Sequence, residues 1–171
     1  MAPKLLRWYQ RHGRHDLPWK QGARPYYIWL SEIMLQQTQV ATVIPYFEKF
    51  IRHFPDIKDL AAADSDTVMH LWAGLGYYAR ARNLHQTARR IMDEHHGHFP
   101  QTLEALQALP GIGRSTAGAI LAQAFDQPQA ILDGNVKRVL SRYHTIPGWP
   151  GETRVSRQLW RWAEYHTPTN R

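Results

Sequence analysis

Apolar residues recurring at three- and four-residue spacing, with almost no strand-like alternation, constrain this chain more than any other feature. Leu5, Leu6 and Tyr9 form one such stripe, and Tyr27, Leu30, Ile33 and Met34 form another, which is the period of a helix with one buried face. Breakers cut the remainder into short helices: Pro55, Asp64-Ser65, Gly74 with Gly76, Gly97 to Pro100, Pro110 to Gly113, Gly134, and Pro147 to Gly151. Pro45 falls inside an apolar run and predicts a first turn or a kink. About ten helices with short connections follow, an all-α fold of mostly local contacts.

With 171 residues, 43% of them hydrophobic, the chain can bury a real interior, as one domain or as two small lobes sharing a core. Only Thr167 to Arg171 is polar and without clear organisation, and there are no repeats or low-complexity runs. No apolar stretch approaches membrane-spanning length, and Met1-Ala2-Pro3-Lys4-Leu5-Leu6 lacks the apolar core of a secretion signal. The expectation is a soluble cytoplasmic protein, not a secreted one. The net charge is +7, and arginines stand beside aromatics in Tyr77-Tyr78-Ala79-Arg80-Ala81-Arg82. That pattern favours a polyanionic partner, although a basic surface kept for solubility has the same composition. The absence of cysteine excludes disulfides, thiolate nucleophiles and thiolate-held metal centres within these residues.

Two glycine patterns invite a nucleotide-binding reading. Gly74-Leu75-Gly76-Tyr77-Tyr78-Ala79 fits GxGxxA, but that fingerprint needs a preceding strand, and Asp66 to Trp72 reads as a helix ending in glycine. Gly111-Ile112-Gly113 also follows a helix and has Thr116 where a third small residue belongs. Its context suits something else. Gln101 to Ala108 is a short amphipathic helix, Leu109 to Gly113 a tight turn, and Arg114 to Phe125 a helix of small residues. Pro110 stops the first helix, the glycines permit positive φ, and Ile112 can plug the crevice between the helices. Free N–H groups at the second helix start then form an anion site suited to a phosphate. An ordinary helical hairpin is the plainer alternative.

Glu32 lies in Trp29-Leu30-Ser31-Glu32-Ile33-Met34-Leu35-Gln36-Gln37-Thr38-Gln39, apolar around one acid and then abruptly polar. Poor solvation there disfavours the carboxylate and suits a general acid. Asp133, in Ile131-Leu132-Asp133-Gly134-Asn135-Val136, suits the N-cap of a helix from Asn135 to Tyr143, a role compatible with chemistry. His95-His96-Gly97-His98 lacks HExxH spacing and reads as a solvated turn rather than a metal site.

Together these segments resemble the MutY-type adenine DNA glycosylases of the helix-hairpin-helix base-excision superfamily. The resemblance rests on Glu32 with Met34-Leu35-Gln36-Gln37-Thr38, Gly74 to His85, Leu109 to Gly113 and Leu132 to Val139, flanked by Leu17-Pro18-Trp19 and Gly148-Trp149-Pro150-Gly151, all in the family's order. It implies a six-helix lobe over residues 22–126 containing the hairpin at 101–125, and a second helical lobe from residues 1–21 and 127–171. The active-site cleft would lie between the lobes. Ser115 stands where lyase relatives carry a nucleophilic lysine, which implies a monofunctional glycosylase hydrolysing the bond to adenine mispaired with 8-oxoguanine or guanine. A different mispaired base, or DNA binding without catalysis, is the alternative.

By the same resemblance, Glu32 and Asp133 are catalytic, with Asn135 and Ser115 arranging the sugar and Asp133. Gln36, Gln37, Thr38, Leu75, Tyr77, Gly111, Gly113 and Arg114 meet DNA, Gln37 and Tyr77 as wedges in the base stack. Trp19 and Lys20 line the adenine pocket. The implied partner is double-stranded DNA containing an adenine mispair, bound by a monomer. Longer family members continue into further helices and four cysteines holding a 4Fe-4S cluster. This chain stops at Arg171 without them, so the second lobe is expected to be incomplete and no cofactor is expected within it.

Overall fold

A computed structural model of the chain describes residues 2–168. Among these described residues ten α-helices follow in order: α1 (Ala2–His12), α2 (Pro25–Met34), α3 (Val40–His53), α4 (Ile57–Ala62), α5 (Ser65–Trp72), α6 (Ala79–His95), α7 (Leu103–Gln107), α8 (Arg114–Ala124), α9 (Gly134–Tyr143) and α10 (Thr153–His166). A 3-10 turn, Pro18–Ala23, precedes α2, and no strand occurs among the described residues.

Short polar side chains set the helix starts. Asp56 accepts from the backbone of Lys58 and Asp59 while the Asp59 carboxylate reaches back to the Asp56 N–H, a reciprocal cap for α4. Asp64, Thr102 and Asp133 cap α5, α7 and α9, each such cap contributing about 1 kcal/mol. Pro45 stands in the second turn of α3 rather than its first, and the helix runs on through it. Burial of Val43, Phe47 and Phe50 on one stripe of that helix outweighs the lost backbone hydrogen bond, a defect of about 3 kcal/mol.

The interior divides into two clusters. The larger gathers the aromatic and aliphatic faces of α2 to α8, including Trp29, Phe47, Phe50, Trp72, Leu84 and Ile120. At its centre stands α2, packed against α3, α6, α8 and the 3-10 turn and buried nearly all round. Glu32 is the one charged residue of that helix. The smaller cluster joins Leu132, Leu140, Ile146, Val155, Leu159 and Ala163 from α9, α10 and their approach. His144 and His166 close its far end, their ring nitrogens 2.8 Å apart, with His144 stacked on Trp162 at 3.6 Å. Although α1 is first in sequence, its Leu5 and Leu6 face a hollow bordered by Leu140 and Ala163 of this second cluster and by Ile131. The segment 128–132 thus passes from one cluster to the other and delivers Asp133 to the seam.

Candidate active site

An open cleft of 840 Å³ lies along that seam. One wall is the end of α2 and the turn beyond it, bringing Glu32, Gln36, Gln37 and Thr38. The second is a stripe of α8, Ser115, Ala119 and Gln123, and the third is the start of α9 with Asp133, Asn135 and Arg138. Residues separated by a hundred positions in sequence therefore share one solvent-reached space.

The Glu32 carboxyl is perturbed by its surroundings. Burial raises its pKa above the ordinary carboxylate value, and the nearby charge of Asp133 raises it further. Opposing both, the Gln123 amide donates to Glu32 Oε1 at 2.8 Å and lowers it. The net direction is upward, so a proton is held more tightly than on a free glutamate. Asp133 is exposed, and one of its oxygens accepts the Val136 N–H at 2.7 Å, the expected N-cap. Its position depends on Ser115, whose hydroxyl accepts the backbone N–H of Leu132 at 2.9 Å, one residue before the acid. Asn135 is exposed at the first turn of α9 and accepts from Arg138 at 3.4 Å.

A second hollow of 350 Å³ adjoins the cleft and shares Gln36 and Gln37 with it, adding Tyr77, Tyr78 and Arg82. Gln37 and Tyr77 both point into solvent, Tyr77 at 60% exposure, and both have left-handed backbones, with φ of 57° and 50°. Such a conformation costs a non-glycine residue about 1–2 kcal/mol, so two neighbouring instances need strong external support.

The hairpin turn is fixed by α6: Thr87 donates to Pro110 O at 2.9 Å and Arg90 to Ala108 O at 2.8 Å. Gly111 has φ of 76°, and a Cβ there would stand 3.0 Å from Asn83 Cβ. Gly113 caps α8 without any side-chain hydrogen bond, leaving the first N–H groups of the helix for an outside acceptor. Gln36 reaches the turn from the segment just after α2, donating to Gly111 O at 3.4 Å.

Several expected site residues lie elsewhere. Leu75 is 5% exposed and belongs to the larger cluster, because an apolar side chain following a helix end is drawn inward. Trp19, 3% exposed, packs edge-on against Phe47 in the same interior rather than lining the cleft. Lys20 donates to the Tyr9 hydroxyl at 2.6 Å and to Arg14 O at 2.8 Å, and so bears on the cleft only through Arg14, which lines it. Arg114 turns from the hairpin to α10, pairing with Glu164 at 2.6 Å and lying 3.8 Å over the Trp160 ring. Conversely, Gln123, Arg14 and Arg138 line the cleft without having been singled out. For Gln123 a signal existed: it is the polar residue at eight positions from Ser115 on the small-residue face of α8.

Among the described residues, no group of three or more His, Cys, Asp or Glu side chains could hold a metal ion. With no cysteine in the sequence, these residues do not supply the thiolates of the cluster implied for longer relatives.

Residues 30–165 match the family described as HhH-GPD superfamily base excision DNA repair protein. The chain is 49% identical over 164 residues to the adenine DNA glycosylase of Buchnera aphidicola from Acyrthosiphon pisum, covering 96% of this chain and 47% of that protein. Against the adenine DNA glycosylase of Homo sapiens it is 50% identical over 169 residues, covering 94% of this chain and 31% of the human protein. It thus spans about half the length of the bacterial relative and a third of the human one. Among solved structures, a thermostable thymine-DNA glycosylase superposes with a TM-score of 0.88 at 26% identity, over 99% of this chain and 77% of that one. An endonuclease III bound to DNA superposes with a TM-score of 0.72 at 22% identity, over 84% of this chain and 71% of its own.

Proposed function

The chain belongs to the HhH-GPD superfamily of base excision DNA repair proteins, and on that premise we propose that it carries the catalytic centre of an adenine DNA glycosylase. The reaction is hydrolysis of the N-glycosidic bond of an adenine mispaired with 8-oxoguanine or guanine, without cutting the backbone. The observation that carries this reading is one cleft holding two unlike acids, a proton-retaining Glu32 and an exposed Asp133 that caps α9.

Adenine in a duplex is shielded, so the nucleotide turns out of the stack at a cost of about a few kcal/mol, which a mispair reduces. Gln37 and Tyr77 fill the vacated space. Glu32 donates its proton to a ring nitrogen, making the base a neutral leaving group as the bond to C1′ breaks. Asp133, as carboxylate, offsets the positive charge that develops on the sugar, either electrostatically or as a transient covalent partner. Glu32, now ionised, takes a proton from the incoming water, which restores both groups. Ser115 and Asn135 are positioning residues here, Ser115 through the Leu132 N–H. The uncapped start of α8 receives a phosphate, and the basic surplus of the chain strengthens the hold on DNA. The same reading makes it a monomer acting in the cytoplasm; among the described residues no helix is long and apolar enough to cross a membrane.

The test is single-turnover base release from duplexes bearing adenine opposite 8-oxoguanine or guanine, beside thymine and oxidised-pyrimidine mispairs. Adenine is the expected product, and Glu32→Gln or Asp133→Asn should each reduce its release by roughly 10²–10⁴-fold while mispair binding persists. Undiminished rates in those variants would remove the assigned roles. Mispair binding by the unmodified chain with no base released would leave a DNA-binding module instead.

A further inference from the structure

Arg80 is buried, yet no carboxylate appears among its hydrogen-bond partners. Its Nη1 donates to the carbonyls of Ile33 (3.1 Å), Met34 (2.7 Å) and Gln36 (2.7 Å), and its Nη2 to those of Leu75 (3.1 Å) and Gly76 (3.2 Å). The first three lie in the last turn of α2 and just beyond it, where the carbonyls of the helix terminus and the helix dipole supply negative potential, which explains how the charge is held without an acid. The guanidinium also stands 5.4 Å from the ring centres of both Trp72 and Tyr77. The Trp72 indole N–H adds a further bond to Gly76 O at 3.1 Å.

Two of these carbonyls immediately precede the two exposed left-handed residues, Gln36 before Gln37 and Gly76 before Tyr77. The strained peptides that aim both side chains at the duplex are therefore gripped by one planar cation. We propose that Arg80 is the positioning residue of the base-separating wedge, setting the spacing and left-handed backbones of Gln37 and Tyr77 so that they enter the stack as a unit. The inference rests on the wedge reading given under the proposed function. Insertion by an already ordered pair avoids the entropy of arranging two loops during strand distortion. A lysine cannot replace this arginine, because a single ammonium with three donors does not span carbonyls on two turns.

The experiment uses the full chain with Arg80→Lys and Arg80→Met, and two kinds of DNA. One is a duplex with stacked, mispaired adenine and 2-aminopurine beside it, whose fluorescence reports unstacking. The other presents adenine already extrahelical in a bulge, where no wedge is needed. We expect both variants to keep the helical circular dichroism of the parent, to lose most of the fluorescence rise, and to release stacked adenine roughly tenfold to a hundredfold more slowly. Release from the bulge should stay at the parent rate. Equal slowing on both substrates, no slowing on the duplex, or failure of both variants to fold would overturn the inference. A parent chain that neither unstacks 2-aminopurine nor releases adenine removes the proposed function itself, whereas a competent parent matched by Arg80→Lys removes only the role of Arg80.

Discussion

The proton affinity of Glu32 is set by three influences that do not agree. Burial raises it most, the Gln123 amide lowers it, and Asp133 raises it again. Gln123→Leu takes away the one influence that favours the carboxylate, so the folded pKa of Glu32 should climb further. Because the proposed chemistry starts from protonated Glu32, activity is lost as pH rises through that pKa, and the alkaline limb of the base-release profile should move to higher pH in the variant. A limb that stays put or moves downward would show that the amide does not tune the acid. Glu32 itself was legible in sequence, since a lone acid amid Trp29, Ile33 and Met34 has few ways of being solvated. Arg80 was not. It stands in a run of arginines and tyrosines that reads as a DNA-facing surface, while its actual partners are backbone carbonyls as far as 47 positions away. Backbone acceptors leave no side-chain signature in a sequence, so a buried arginine held by them looks like an exposed one. Leu75 and Trp19 show the converse: a family's motif marks a position, and packing decides whether its side chain reaches the surface.

At the level of elements, helix period and breakers located nearly every helix, because most bury one stripe, and α4, α5, α7 and α9 begin at short polar caps while α2 begins at a proline. What they left open was the place of Pro45, which sits inside α3, where a buried aromatic stripe keeps the helix continuous. The small residues of α8 were also readable, and the structure gives one of them a specific purpose. A Cβ on Gly118 would stand 2.8 Å from Ala130 O, in the segment that leads to Asp133. Gly118→Ala should therefore cost about 1–3 kcal/mol in denaturant unfolding and slow base release by displacing that segment. Parent stability in this variant would mean that the contact yields freely. The turn after α2 should behave in the opposite way. Gln37→Gly relieves a left-handed backbone and should raise stability by about 1 kcal/mol, after the entropy cost of glycine. The same change removes a wedge, so release of stacked adenine should fall. Thermal unfolding together with the kinetics would expose this opposition between stability and use.

For the whole molecule, the unequal sizes of the two interiors matter most. Twenty-seven buried residues form the larger cluster and six the smaller, among the described residues. An interior of six side chains gives α9 and α10 little independent stability. Their amides should exchange with solvent at least about tenfold faster than those of α2, α3 and α6, as hydrogen-exchange mass spectrometry would measure. Uniform protection would indicate that the two clusters open together, coupled through Arg114 lying between Glu164 and Trp160. The seam has a further consequence in the order of synthesis. A ribosome delivers Glu32, the hairpin and the whole of the larger interior before Asp133 emerges, and units of this kind fold as they leave. A nascent chain would thus pass through a stage that carries the hairpin and Glu32 while lacking Asp133, and on the proposed reading the cleft gains its second acid only as α9 forms.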